Sequence, residues 1–466
     1  MTPSNPPSYE VLLVSTYELG RQPFGLASPA AWLKRAGVSV RCIDLSRERF
    51  RTSDFERADF VGFYLPMHTA TRLAVEIVAK VSRLNPTPHL CAFGLYAPVN
   101  EDYLRGLGIK SILGGEFEQG LTGLVETLRG NEHLNCSSVQ SSLVSISLGK
   151  QRFLVPDRSS LPKLAEYSKL VLPNGTNRIV GYTEASRGCK HLCRHCPIVP
   201  VYQGTFRIVQ REIVLADIRQ QVTAGAQHIT FGDPDFFNGI GHAIPLVREL
   251  HGEFPELSYD VTIKIEHLLK HADHIQTLRD TGCAFVTSAV ESVDDTILNI
   301  LDKGHTRADF VRAVELTRDI SLPLAPTFVS FTPWLSLFGY EDLLQLIAEL
   351  DLVSSVAPVQ WAIRLLIPNG SRLLELPEVQ TVLAGFDEKA LSYRWLHPDP
   401  RMDALQRDVE RLVLGSAQQG LGRNQIFEAI LQLVSEAKGE PKLTRVRSSP
   451  VVIPCTIPYL TEPWFC

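Results

Sequence analysis

Short apolar runs alternate with longer stretches of helical period along most of this chain. The first run is YEVLLV at residues 9–14, followed by a turn punctuated by Gly and Pro and a helical stretch ending near Arg35. Runs of four to eight apolar residues bounded by turn signals read as buried parallel strands. Residues 38–45, 60–65, 89–93 and 110–113 fit that description, with helical patterns such as 70–84 between several of them. Alternating strands and helices predict a doubly wound parallel sheet over residues 8–130. In such sheets ligands sit beyond the strand carboxyl ends, so the loops 66–69, 94–97 and 114–116 are where a cofactor would dock. Residues 131–176 break the rhythm with a Ser-rich stretch and then Pro and Asn-Gly turns, and read as a linker. From 177 the alternation resumes, with strands near 180 and at 228–231, 259–265, 284–290, 324–331 and 359–367. Six βα units predict a partial (β/α)6 TIM barrel over 177–380, with its active face at the strand carboxyl ends. Residues 381–466 read as a helical C-terminal extension that becomes Pro-rich and irregular after 442.

Composition narrows the function classes. The chain of 466 residues is 44% hydrophobic and 21% charged, as expected of a globular protein of about three folding units. A net charge of −5 is no basis for a polyanion-binding surface, so no nucleic-acid partner is expected. The first residues, MTPSNPPSYEVLLV, lack the basic and apolar regions of a signal peptide, and no run of about 18 apolar residues occurs. A cytoplasmic location without a membrane partner is the expectation.

The nine cysteines carry the chemistry. An odd number argues against a disulfide framework and towards metal or redox use. Six stand alone: Cys42, Cys91, Cys136, Cys283, Cys455 and Cys466. The other three, Cys189, Cys193 and Cys196, fall in SRGCKHLCRHCP, directly after the first strand of the second unit. Thiolates are soft ligands for zinc or iron–sulfur clusters. A structural zinc site wants four ligands, and His191 or His195 could supply the fourth. Three cysteines on a four-iron cluster leave one iron open, which chemistry at the cluster requires.

The CxxxCxxC spacing in this position resembles the radical S-adenosylmethionine (SAM) superfamily. That resemblance implies a 4Fe-4S cluster on Cys189, Cys193 and Cys196. The cluster would bind SAM through its open iron and cleave it reductively to a 5′-deoxyadenosyl radical. Lys190, His191, Arg194 and His195 would flank the cluster, where charge tunes its potential. The second strand ends TFGDPDFF, where the family usually carries a Gly-Gly-Glu-like turn for the SAM ammonium. Gly232, Asp233 and Pro234 stand in that turn, and either Asp233 or Asp235 supplies the negative charge. Residues 288–304, with Glu291, Ser292, Lys303 and Gly304, are similar to an "ES…L…KG" segment of radical SAM proteins that carry a cobalamin-binding-like domain. There Glu291 and Ser292 would lie near the SAM ribose, a carboxylate being well suited to accept from two hydroxyls. Lys264 and Arg364, on the third and sixth strands, are candidates for the SAM carboxylate or a substrate anion.

The N-terminal unit resembles flavodoxin-like, cobalamin-binding domains. It lacks an Asp-x-His-x-x-Gly motif that would ligate cobalt from below, and such families include members with and without the cofactor, so cobalamin stays open. The segment 359–371 and the tail LTEPWFC resemble a radical SAM subgroup ending in Cys-Cys-Ala-Glu-Pro or Cys-selenocysteine-Ala-Glu-Pro. The matching expectation is a product that continues past Cys466 through a selenocysteine codon, with Cys455 and Cys466 as redox or metal-handling thiols. The implied function is a radical SAM enzyme acting on a small-molecule or peptide substrate, with an electron donor such as flavodoxin or ferredoxin. Its chemistry would be hydrogen abstraction, or cobalamin-assisted methyl transfer. The rival is a non-catalytic zinc or iron–sulfur sensor or scaffold, which a complete fourth protein ligand would reveal. No motif identifies the substrate or the oligomeric state.

Overall fold

The computed structural model describes residues 9–130, 145–439 and 457–462. Cys136, Cys455 and Cys466, and with them the expectations about a redox or selenocysteine tail, lie outside the described residues.

The first unit is a six-stranded sheet built from β1 (Glu10–Ser15), β2 (Ser39–Asp44), β3 (Phe60–Tyr64), β4 (His89–Phe93), β5 (Ser111–Gly115) and β6 (Ile146–Ser147). Its order is β2-β1-β3-β4-β5-β6, all parallel, so the chain winds one way and then the other from β1. Period-two side-chain alternation feeds two separate cores. Leu12, Val14, Val61, Phe63 and Ala92 pack on one face, while Val11, Leu13, Phe60, Cys91 and Phe93 pack on the other. Helix Phe24–Arg35 covers one face with Leu26 and Leu33, and helix His68–Val81 covers the other with Ala74 and Val78. This is the doubly wound sheet expected from the alternation of apolar runs.

The second unit adds β7 (Lys169–Val171), β8 (Asn177–Thr183), the short hairpin β9 (Ser186–Gly188) and β10 (Phe206–Ile208), then β11 (His228–Phe231), β12 (Ser258–Thr262), β13 (Cys283–Glu291) and β14 (Leu324–Phe328). The hairpin β15 (Leu383–Asp387) and β16 (Ser392–Trp395) follows, and the tail supplies β17 (Tyr459–Leu460). The main sheet runs β14-β13-β12-β11-β8-β7-β17, its first five strands parallel and β7 and β17 antiparallel. Val180 of β8, Phe285 of β13 and Ala325 beside it on β14 share one apolar cluster with Leu170 and Leu460, although β8 and β14 stand four places apart in the sheet. Strands that distant can touch only if the sheet curls, which makes it a partial barrel.

Three elements differ from the sequence reading. Residues 359–367 form a 3-10 turn, Pro358–Ala362, and then a single bridge between Phe331 and Arg364 instead of a sixth strand. Pro358 opens the turn, and the Gln360 side chain, not a neighbouring backbone, accepts from Phe328 N at 2.9 Å. The stretch read as a linker joins both sheets, through β6 on the first and β7 on the second. Within it Arg158 grips Asp217 of helix Arg211–Thr223 with two bonds of 2.8 and 2.9 Å. The C-terminal extension contains the β15–β16 hairpin as well as its two helices, Pro400–Gln419 and Arg423–Lys438. Those helices pack on the barrel through Phe427, whose ring lies 5.5 Å from that of Trp361.

Candidate active site between the two sheets

The carboxyl ends of both sheets face one cavity of about 450 Å³. The barrel contributes the three cysteines, Asp233, Lys264 and Glu291, and the first unit contributes Glu18, Tyr64, Met67, His68 and Tyr96. Tyr459 and Leu460 of the tail strand close one side. The loops expected to dock a cofactor are represented by Pro66–Thr69, Gly94–Tyr96 and Gly115.

The cysteine loop leaves the sheet at Gly188, which pairs with Phe206 across the β9–β10 hairpin. Gly188 has φ +71°, and a Cβ there would stand 2.4 Å from Thr205 O, so only glycine permits this close return of the chain. The far side of the loop is tied down by Arg194. Its backbone N donates to Leu301 O at 2.9 Å, and its guanidinium donates to Asn299 O and Ile300 O at the end of helix Asp295–Leu301. A cation at a helix carboxyl end is favourably placed, so Arg194 anchors the loop. Lys190 rests 4.8 Å above the Phe206 ring.

Cys189 and Cys193 are buried, and all three cysteines line the cavity. Burial raises the Cys189 thiol and pushes Cys196 up to about 12, so the ligand form has to be stabilised from outside the loop. Donors are in place. Asn238 Nδ2 lies 3.5 Å from Cys189 Sγ and Lys264 Nζ lies 3.7 Å from Cys193 Sγ. Buried Lys303 adds a positive charge felt by Cys193 and Cys196. Neither loop histidine turns to the cysteines. His191 faces Asp235 and Glu266, and His195 faces Glu291 at 3.2 Å. Among the described residues the thiols therefore form a three-ligand set that fits a 4Fe-4S cluster with one open iron.

The remaining sequence candidates separate into two groups. Gly232, Asp233, Pro234, Lys264, Glu291 and Arg364 line the cavity. Gly232 has no room for a side chain, since a Cβ would sit 1.8 Å from Tyr182 Oη. Asp233 accepts from Ser186 Oγ at 2.5 Å and Ala185 N at 2.9 Å, and burial pushes its carboxyl up to about 7. Burial would likewise raise Glu291, but Lys303 at 3.4 Å and His195 outweigh it and hold the carboxyl at about 2. Glu291 is also left-handed, φ +69°, at a register shift between β13 and β14 that swings its side chain to the strand end. Arg364 reaches the cavity with its charge already taken: it pairs with Asp403 at 2.7 Å, donates to Trp395 O and stacks 3.5 Å from that ring. Asp235 and Ser292 do not line the cavity. Asp235 is fully buried between two histidines, and Ser292 Oγ accepts from Asp294 N. Asn238 was not among the sequence candidates, although it stands one residue beyond the GDPDFF turn, and Lys303 was noted there only as part of a motif.

Residues 183–348 match the radical SAM superfamily. The hopanoid C-3 methylase of Methylococcus capsulatus is 24% identical over 335 residues, covering 69% of this chain and 64% of that protein. The ribosomal protein uS12 methylthiotransferase RimO of Geobacter sulfurreducens is 24% identical over 183 residues, or 36% of this chain and 40% of RimO. The chain thus spans less than two thirds of the length of either relative. Among solved structures, the cobalamin-dependent radical SAM enzyme OxsB superposes with a TM-score of 0.71 at 15% identity, over 92% of this chain and 72% of that one. The radical SAM methyltransferase TsrM of Kitasatospora setae does so with 0.58 at 17% identity, over 74% and 70%. At such identities the superpositions speak for the fold, a parallel sheet set against a partial barrel. The match identifies a radical SAM domain at residues 183–348, and the three-cysteine loop follows the carboxyl end of the first barrel strand.

Proposed function

We propose that this protein is an enzyme that cleaves SAM reductively and directs the resulting radical at a small molecule held in the cavity between the two sheets. The single observation that carries this reading is the three-thiol set opening on that cavity with no fourth protein ligand among the described residues. Cys189, Cys193 and Cys196 would hold the 4Fe-4S cluster, which when bound supplies the electron that breaks the sulfonium bond.

The chain's own residues bind, orient and exclude water. Lys264, Lys303 and Asn238 place donors and positive charge around the thiolates, which favours the ionised, ligating form. The backbone of Gly232–Pro234 lies at the end of β11 facing the cavity, where carbonyls can receive an ammonium, with Asp233 bracing the start of the cysteine loop. Glu291 stays ionised at the end of β13 and can accept from a pair of ribose hydroxyls. Lys264, with Glu266 at 3.4 Å, is held more loosely than Arg364, which is paired with Asp403 at 2.7 Å, and is the better placed cation for a carboxylate. Tyr64, Phe117 and Tyr96 form an apolar opposite wall that keeps water from a reactive intermediate. The electron would come from a reduced flavodoxin- or ferredoxin-type donor in the cytoplasm.

One observation favours methyl transfer as the outcome. Three loops of the N-terminal sheet line the same cavity as the cysteines, which is where a corrinoid would sit opposite SAM. His68 lines the same cavity, with its Nε2 engaged by Ala390 O. The test is anaerobic assembly with iron and sulfide, with and without hydroxocobalamin, followed by reduction in the presence of SAM. Formation of 5′-deoxyadenosine or S-adenosylhomocysteine, lost in Cys193→Ala, is expected, and the absence of both products from a chain loaded with four irons would overturn the reading. Corrinoid retained on gel filtration supports methyl transfer, and its complete loss there leaves hydrogen abstraction as the reaction.

A further inference from the structure

Beside the cysteine loop a second group of side chains converges that the proposed radical chemistry does not use. His191 comes from the loop between the first two cysteines, Asp235 from the turn after β11, and His267 from helix Ile265–Lys270. One nitrogen of each histidine and Asp235 Oδ2 all lie within 4.8 Å of one another. His267 Nδ1 is 2.6 Å from the oxygen and His191 Nε2 is 3.3 Å from it. Despite that nearness none of the three atoms makes a hydrogen bond of proper geometry. Asp235 is completely buried and His267 is 6% exposed. A buried polar atom without a hydrogen bond costs about 1–3 kcal/mol, and more when charged, so three in one place want a common partner.

The surroundings are arranged as around a bound ion. The other nitrogen of His191, Nδ1, lies 3.5 Å from Glu266 Oε2, and the other oxygen of Asp235, Oδ1, accepts from Phe237 N at 3.2 Å. Carboxylates behind ligating histidines fix the ring and raise its basicity. Two imidazoles and one carboxylate from three separate elements form a donor set for zinc or a similar first-row divalent ion, with a position left for water. Ligand atoms in a tetrahedral site with bonds of ~2.0–2.1 Å stand about 3.3 Å apart. The His191–Asp235 pair has that spacing already, and the His267–Asp235 pair would open by about 0.7 Å.

We propose that His191, Asp235 and His267 bind one first-row divalent cation of the zinc type, separate from the cluster on the three cysteines. The ion ties the segment between Cys189 and Cys193 to the turn after β11, the same turn whose Asn238 braces Cys189. It is a positioning site for the loop, and its existence does not depend on which radical reaction follows.

The test is made on protein whose iron–sulfur content has been assembled anaerobically, stripped of loose metal with a chelator, and titrated with zinc sulfate. Elemental analysis and zinc K-edge X-ray absorption are expected to show one zinc per chain with nitrogen and oxygen neighbours at ~2.0–2.1 Å and no sulfur. His191→Gln and Asp235→Asn should each lower bound zinc at least tenfold while iron and sulfide per chain are retained. Asp235 is wholly buried, so its variant carries a folding risk. His191→Gln, on the loop, carries less, and the spectrum of the unaltered protein decides the matter without any variant. Sulfur neighbours at ~2.3 Å, no zinc retained on gel filtration, or unchanged zinc in His191→Gln would overturn the site. A chain that takes up no iron yet binds zinc through nitrogen and oxygen would sink the enzyme reading and leave this one standing.

Discussion

On the barrel side of the cavity Glu291 meets one lysine and one histidine, while on the other side Arg187 meets three carboxylates. Glu291 lies 3.4 Å from Lys303 and 3.2 Å from His195, all nearly buried, and the charges balance. Arg187 pairs with Glu184 at 2.6 Å, Glu118 at 2.7 Å and Glu116 at 3.4 Å, its guanidinium 5.0 Å from the Phe153 ring centroid and 5.4 Å from that of Phe117. One cation cannot neutralise three acids. Burial, only partly opposed by Arg187, pushes Glu116 up to about 7, while Glu118, held by Arg187, Ser28 and Gln151, is kept low despite its burial. The balanced cluster keeps a fixed charge where a cofactor contact needs one. The unbalanced cluster joins the end of β5 to β9, and so clasps the first sheet to the barrel at the cost of an excess acid.

The comparison breaks most readily at Arg187. Arg187→Met strands three buried carboxylates and should cost about 3–5 kcal/mol in urea unfolding. A loss below about 1 kcal/mol would mean that the cluster is no clasp. Lys303→Met leaves Glu291 with His195 alone, and a slightly smaller loss of about 3 kcal/mol is expected because one hydrogen-bond partner remains. Replacing the carboxylate itself is milder. Glu291→Gln keeps the shape and should raise the KM for SAM roughly tenfold, the worth of one charge-assisted hydrogen bond, with iron content unchanged. An unaltered KM would remove Glu291 from the SAM site.

The smallest effect is the most diagnostic, because the two sides differ in sign. A Glu with a raised folded pKa binds more protons folded than unfolded, so Glu116 makes stability fall as pH rises from about 4.5 to about 7. Glu291, with a lowered pKa, contributes stability that is complete above about 4.5 and is lost as pH falls towards about 2. Glu116 faces Arg187, Glu118, Glu184 and Tyr202. Glu118, shifted the opposite way, contributes stability that is lost only as pH falls below about 4.5, outside this window. Glu116→Gln should lose Glu116's share of that fall, with Asp233 and Glu184 keeping theirs, and should keep the acid limb, while Glu291→Gln should lose the acid limb and keep the fall. Two variants with the same profile would show that the clusters do not differ as described.

Much of this arrangement was legible in advance. The apolar runs of β1, β3, β4 and β11 are local, and a strand buried on both faces needs no partner to be visible in the sequence. CxxxCxxC is equally local, since three thiols within one loop can meet at one place in almost any fold. Residues 359–367 misled because their apolar character is that of a strand, while Pro358 and the Gln360 side chain satisfy the backbone in another way. Arg364 looked like a free cation because Asp403, its partner, stands 39 residues away.

The sequence by itself determined the two α/β units, the cysteine loop and the residue types at the strand ends, because period, spacing and turn chemistry act over a few residues. The tertiary structure alone decided which acid meets which base. Asp235 went to two histidines and not to the cavity, Glu291 to Lys303, and Glu116 and Glu118 to Arg187 some 70 positions further on. Electrostatic energy depends on distance and burial in space, and neither quantity is written in the order of residues along the chain.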